Sequence, residues 1–223
     1  MSAFLRYVGG EASLSYAKLY RWSVLHPEEF WPKVWSFSGL IASDLGGGRQ
    51  WDEVVHGLER MAPPDVKLGP RWFSGARLNF AENLLRYRDD RDAIVAWNEN
   101  GRQRVISYLE LNAEVARVAA AMRAHGIHAG DRVAGFLPNI PEAMIAMLAA
   151  ASLGAVWSSC SPDFGAQGVL DRFGQIEPRI LFCTGRYQYG GKEIDLRARV
   201  ADVVRQIPAI ERVVVIPYGD GQA

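Results

Sequence analysis

Forty-two consecutive residues, Pro141 to Phe182, restrict this chain to a small set of folds. They read as helix, strand, helix, strand with no room for a long connection. Pro141 suits a first helical position, where its missing N–H removes no hydrogen bond. Ala143 to Leu153 is small and apolar on nearly every face, which predicts a buried helix rather than an amphipathic one. Gly154 ends that helix, and Ala155-Val156-Trp157 is expected as a short buried strand. The polar Ser158 to Asp163 then reads as a loop at the strand's carboxyl end, the place where open α/β sheets bind ligands. A second helix is expected from about Gly165 to Ile176, and a strand from Arg179 to Cys183.

The flanks extend the same pattern. Ile94 to Trp97 and Gln103 to Ile106 surround Asn98-Glu99-Asn100-Gly101, a hairpin signal because Asn and Gly tolerate positive φ. Ser107-Tyr108-Leu109-Glu110 is a capping box. The helix it opens places Leu111, Val115, Val118, Ala119 and Met122 on one side and stops at His125-Gly126. Arg132 to Leu137 is a strand, Thr184 to Gly191 a loop, Ile194 to Gln206 a helix and Arg212 to Ile216 a last strand. Strands this continuously apolar, alternating with helices, predict an α/β fold with a mainly parallel sheet and helices on both faces.

Residues from about Ser13 to Leu85 have another texture. They hold Trp22, Trp31, Trp35, Trp51 and Trp72, five of the seven tryptophans. Ser15 could cap one helix, and Pro27-Glu28-Glu29 starts another with acidic residues where the helix dipole favours them. The aromatics fall at helical spacing, so packing accounts for them. With breakers at Ala62-Pro63-Pro64 and Gly69-Pro70, and a short helix over Leu78 to Leu85, this section is expected as an irregular helical cap. The expected division is residues 1–90 for the cap and 91–223 for an α/β subdomain.

Lys+Arg and Asp+Glu both number 25, so net charge is zero. That balance argues against a nucleic-acid binder, which needs a concentrated positive face. The two cysteines, Cys160 and Cys183, fall on or beside predicted buried strands, which suggests free thiols and a cytoplasmic setting. With Arg6 and a Gly pair arriving before any apolar stretch, the opening residues are not expected to form a signal peptide. The longest apolar run, Ala143 to Trp157, is shorter than the roughly 20 residues of a membrane helix, so no membrane partner is expected.

Generic catalytic patterns mostly fail. His125 and His128 are separated by a helix-ending glycine and lack further ligands, so no metal site is assigned. Ser158, Ser159 and Ser161 lack a nucleophile elbow. Gly46-Gly47-Gly48 has neither the preceding strand nor the following Lys-Ser/Thr of a phosphate loop. Gly185 to Lys192 is the most suggestive segment. Read as a loop between a strand and a helix, it offers two glycines with Arg186 and Lys192 to a peripheral phosphate, with a surface turn as the alternative. No catalytic residue is assigned.

Together these residues carry a likeness. Ser107-Tyr108-x-Glu110-Leu111, Gly126-Ile127-x-x-Gly130-Asp131-Arg132-Val133, Pro138-Asn139-x-Pro141-Glu142 and Gly154-Ala155-Val156 resemble the adenylate-forming superfamily of acyl-CoA synthetases. Tyr20-Arg21-Trp22-Ser23, Phe30-Trp31, Arg71-Trp72-Phe73 and Leu78-Asn79-x-x-x-Asn83 are similar to the cap of its acetyl-CoA synthetase branch. Trp157 to Gly165, with Gln175-Ile176-Glu177-Pro178, is most similar to the acetoacetate-activating group of that branch.

The resemblance implies a ligase that uses ATP, Mg²⁺ and acetoacetate to form an acyl-adenylate and then transfers the acyl group to CoA. It places Cys160, Ser161 and Pro162 on the turn lining the CoA tunnel and Lys192 at a basic position that meets the CoA 3′-phosphate. A neighbouring Arg of the branch falls on Tyr189 here. The superfamily's Lys-ending phosphate loop, ribose-binding Asp and catalytic Lys match nothing in residues 1–223, so the chain is expected to be the first part of an adenylation domain, inactive alone. The alternatives are a stand-alone CoA- or nucleotide-binding module and an interaction scaffold. Self-association through a surface meant for further subdomains is also expected.

Overall fold

The computed structural model describes residues 2–9, 15–59 and 69–219, which form two compact units, Met1–Asn79 and Phe80–Ala223. The first opens with helices α1 (Ser2–Gly9), α2 (Tyr16–Leu25) and α3 (Pro27–Ser38). The Ser15 hydroxyl accepts the Lys18 N–H at 3.3 Å, and Glu28 and Glu29 lie in the first turn of α3. Aromatic rings supply the packing, as their helical spacing suggested. Trp35, buried, meets Trp51 and Phe73 with ring centroids 5.0 and 4.7 Å apart, and its indole N–H donates to Gln50 at 2.7 Å.

The irregular helical cap expected here also contains two strands that the sequence reading did not place. Strands β1 (Glu53–His56) and β2 (Arg71–Ser74) pair antiparallel, with Val55 opposite Trp72. Each is four residues long with little alternation, too short to stand out in a sequence window. The Ala62-Pro63-Pro64 breaker lies outside the described residues.

The second unit begins at helix α4 (Phe80–Leu84). Strands β3 (Asp92–Asn98) and β4 (Gly101–Ser107) form the hairpin foreseen at Asn-Gly, with Gly101 at φ +101°. Ser107 and Glu110 complete the capping box of α5 (Tyr108–Ala124), which buries Leu111, Val115, Ala119 and Met122. Then follow β5 (Arg132–Phe136), α6 (Pro141–Ser152), β6 (Val156–Cys160), α7 (Ala166–Ile176) and β7 (Ile180–Thr184). A short antiparallel hairpin, β8 (Arg186–Tyr189) and β9 (Lys192–Asp195), precedes α8 (Arg197–Gln206) and β10 (Arg212–Ile216).

Four strands make one parallel sheet in the order β10-β7-β5-β6. Alternate side chains of a strand face opposite sides, and the two central strands show it. Val133, Leu137, Ile180 and Phe182 join α5 and α6 in one core, while Ala134, Phe136, Leu181 and Cys183 join α7 and α8 in another. The predicted α/β fold with helices on both faces is what forms.

Two element assignments change. The strand expected at Ala155-Val156-Trp157 runs from Val156 to Cys160, so Ser158 and Ser159 are strand residues and not loop. It is also an edge strand, half-exposed rather than buried, with Val156 50% accessible. The loop-then-helix expected over 184–206 contains the β8–β9 hairpin, and the helix starts only at Arg197.

At the amino ends of the strands, Arg179 ties the sheet together. Its guanidinium donates to Asp131 at 2.9 Å, to Glu211 at 2.8 and 3.0 Å, and to the Gly126 carbonyl at 2.7 Å. The Asp131 carboxyl is held low first by the His128 N–H and then by Arg179, and the Glu211 carboxyl is held low chiefly by Arg179. A depressed folded pKa contributes stability above the unfolded value of about 4, which is lost as pH falls through the folded value. Arg179→Ala is therefore expected to lower the urea midpoint at pH 7 and to flatten its decline below about pH 4. An acid limb unchanged in slope would count against this knot.

Candidate functional site

Consecutive strands β5 and β6 are neighbours, but the chain then returns past β5 to lay down β7 on its other side. Such a reversal leaves a crevice at the carboxyl ends of the strands, where ligands of open sheets bind. A cleft of about 650 Å³ lies there. Pro138 and Asn139 line it after β5, Ser161 and Pro162 after β6, and Pro217 and Tyr218 after β10, with Trp97 and Tyr189 from the two hairpins. Arg104 pairs with Glu142 at 3.0 Å along its edge. Its size suits a drug- or nucleotide-sized ligand.

The turn after β6 is built tightly. Pro162 is fully buried. Ser161 Oγ donates to Asp163 Oδ2 at 2.8 Å, and the Tyr187 hydroxyl donates to Asp163 Oδ1 at 2.8 Å. Arg199, from α8, donates to the Pro162 carbonyl at 2.7 Å. The Asp163 carboxyl is accordingly held low, first by Tyr187 and then by Ser161, while burial and then Asp163 push the Tyr187 hydroxyl up to about 12.

Of the residues singled out in the sequence, Ser161 and Pro162 sit on the cleft wall, and Cys160 lies buried behind them at the end of β6. Arg186, at the base of the β8–β9 hairpin, pairs with Glu193 at 3.4 Å and lines a separate small cavity with Asp195 and Arg197. Lys192 is exposed at the hairpin's tip and lines neither space. The structure thus brings the β6 turn to the cleft but does not gather Arg186 and Lys192 around one anion.

The loop reading of Gly185 to Lys192 is corrected for a physical reason. Gly190 and Gly191 both take positive φ, +59° and +71°, which lets a two-residue turn join Tyr189 to Lys192. Their N–H groups do form an anion-binding concavity, but the Glu99 carboxylate fills it at 2.6 and 2.9 Å. The two N–H groups are the cause of Glu99's lowered pKa. The Gly46-Gly47-Gly48 turn behaves alike, with Asp44 accepting from Gly46 at 2.7 Å and from Gly48 at 3.0 Å.

Both cysteines are free and buried, as expected. Burial pushes the Cys160 thiol up and the Cys183 thiol up to about 11, so neither presents a thiolate at neutral pH. His125 is the C-cap residue of α5, and the backbone N–H of His128 donates to Asp131 at 2.8 Å.

Residues 80–222, well over half of the chain, match the family model of AMP-binding enzymes. The chain belongs to the AMP-binding enzyme family. Residues 16–84 match a second model, the acetyl-coenzyme A synthetase N-terminus, so the likeness to acyl-CoA synthetases holds across both units. The chain is 47% identical over 223 residues to an acetoacetyl-CoA synthetase of Macaca fascicularis, covering 98% of the chain and 32% of that relative. It is 41% identical to the acetoacetyl-coenzyme A synthetase of Rhizobium meliloti (strain 1021), covering 100% of the chain and 33% of the relative. Among solved structures, the acetoacetyl-CoA synthetase from Streptomyces lividans matches with a TM-score of 0.86 and 39% identity, over 100% of this chain and 34% of that one. The chain spans about a third of the length of these relatives.

Proposed function

We propose that this chain serves as the amino-terminal section of an acetoacetate–CoA ligase. The observation that carries the reading is the 41–47% identity to acetoacetyl-CoA synthetases along its whole length. The acetoacetate carboxylate attacks the α-phosphorus of ATP, pyrophosphate leaves, and an acyl-adenylate forms. The CoA thiol then adds to the acyl carbon, and AMP leaves with the C–O bonding pair. Adenylation is what makes that oxygen a competent leaving group.

In this reading the cleft at the sheet's carboxyl ends belongs to the path of CoA. Ser161 and Pro162 shape its wall with Cys160 buried behind them, and Lys192, on the exposed hairpin tip, meets a peripheral phosphate. Arg186 would reach that phosphate only by releasing Glu193, so Lys192 carries the larger share. Mg²⁺ accompanies ATP in such chemistry. Among the described residues the grouping with ligand-like spacing is His26, Glu28 and Glu29, all exposed and all in the first unit. A surface trio with an imidazole does not match a cation that prefers oxygen ligands, and no step is assigned to it. A reducing cytoplasmic setting accords with two buried free thiols, and no described helix is long and apolar enough to cross a membrane.

The decisive assay is acetoacetyl-CoA formation from ATP, acetoacetate and CoA. The protein from its native source is expected to catalyse it, and the purified 223-residue chain is not. Failure by the native protein with acetoacetate would overturn the reading. For the isolated chain we further propose self-association. Strand β10 is a sheet edge whose Val213, Val214 and Val215 are 39, 38 and 45% exposed, beside an apolar groove of about 550 Å³ between it and α8. Unpaired edges template further pairing, so sedimentation equilibrium should show mean mass rising with concentration. A concentration-independent monomer would contradict this.

A further inference from the structure

The β8–β9 hairpin adds nothing to the parallel sheet, yet it interrupts the βαβ path between β7 and α8. What it contributes is position. Tyr187, only 5% exposed, stands on β8 and donates from its hydroxyl to Asp163 in a hydrogen bond of 2.8 Å. That bond joins the hairpin to the turn following β6, across 24 residues of sequence.

The turn has reason to be mobile without it. Among the described residues, strand β6 is the sheet's edge with β5 as its one neighbour, and the residues after Cys160 join no ladder. Asp163 and Phe164 are exposed, and Gly165 follows. The turn is nonetheless fixed at each peptide. Asp163 spends both carboxylate oxygens inside the structure, on Tyr187 and Ser161. Arg199 takes the Pro162 carbonyl, and the Arg172 guanidinium lies 4.3 Å from the centre of the Phe164 ring. Hydrogen bonds with an ionised donor or acceptor are roughly twice as strong as neutral ones, and the Tyr187–Asp163 and Arg199–Pro162 contacts are both of that kind.

We propose that Tyr187 and Arg199 are positioning residues, which hold the 161–164 turn in the shape that receives CoA. Neither touches the reacting atoms; both act through the turn. The inference rests on the ligase reading above. It separates two steps that the reading joins. The turn lies on the proposed CoA path, so adenylate formation needs it little, whereas capture of the thiol needs it in place.

The test uses the protein from its native source, with Tyr187→Phe, Arg199→Ala and Arg199→Lys. Acetoacetate-dependent ATP–pyrophosphate exchange reports the first step, and thioester formation at varied CoA reports the second. Tyr187→Phe removes one oxygen and keeps the ring in its core, so exchange should be retained while KM for CoA rises about tenfold. Arg199→Ala should do the same, with Arg199→Lys recovering part of the loss by keeping a donor. An unchanged KM for CoA in Tyr187→Phe would overturn the inference, as would exchange and thioester formation falling together, since that is the mark of general disruption. Absence of both reactions in the wild type would instead overturn the ligase reading, and the inference with it.

Discussion

Phe173→Ala should cost this chain about 3–5 kcal/mol of unfolding free energy, the usual range for emptying a phenylalanine site in a core. Phe173 is 0% exposed on α7 and belongs to the core between the sheet and helices α7 and α8. The same core holds the strand residues Phe136 and Leu181, whose strands are paired on both sides, which limits how far they can move into the space left behind. A domain's whole stability is about 5–15 kcal/mol, which makes this loss about a fifth of it or more. Urea unfolding followed by far-UV circular dichroism reads the change directly. Met144→Ala, on α6 but 42% exposed, is the control, with an expected effect within about 0.5 kcal/mol. A small loss at Phe173 would mean that the second core is not the cooperative unit its burial indicates.

How Phe173 comes to lie there was legible in the sequence. The helix after Gly165, the apolar strands and the reversing order of β and α signals all follow from short-range patterns, and the capping box at Ser107 and the turn at Asn98 to Gly101 announce themselves within four residues. Two kinds of feature were not legible. Strand β6 looked like three buried residues because Ser158 and Ser159, on opposite faces of it, break the apolar run, and its edge position explains why polar residues can occupy a strand there. The Gly190-Gly191 turn follows the same rule as Asn-Gly, but its flanking strands, Arg-Tyr-Gln-Tyr and Lys-Glu-Ile-Asp, are too polar to signal a hairpin.

The site was legible by half. Ser161 and Pro162 lie on the cleft, where a polar turn at a strand's carboxyl end should be. The glycine-rich segments misled because a sequence shows donors without showing what already satisfies them. Asp44 serves the Gly46–Gly48 turn from two to four residues away, whereas Glu99 reaches Gly190 and Gly191 from 91 and 92 residues away. The ties of Tyr187 and Arg199 to the turn span 24 and 37 residues, and no local spacing could have pointed to them.

Gly135 sets the second large effect, and it comes from shape rather than backbone freedom. Within the sheet, Gly135 stands between Phe182 on β7 and Ser159 on β6. The indole of Trp157 lies across it toward Phe182, their ring centroids 6.2 Å apart. A Cβ on residue 135 would sit 2.6 Å from Trp157 Cζ2 and 2.7 Å from Cη2, closer than carbon atoms approach. The indole is packed against the α5–α6 core and cannot swing away freely. Gly135→Ala is thus expected to destabilise by about 1–3 kcal/mol through overpacking, although alanine suits a strand at least as well as glycine. The cause can be isolated with a double-mutant cycle. In a Trp157→Leu background the large ring is gone, so adding the methyl should cost at least about 1 kcal/mol less than in the wild type. An equal cost in both backgrounds would exonerate the indole and place the strain elsewhere in β5. A smaller cost would tie the glycine to the tryptophan, and so to the path of β6 as it leads into the turn at Ser161.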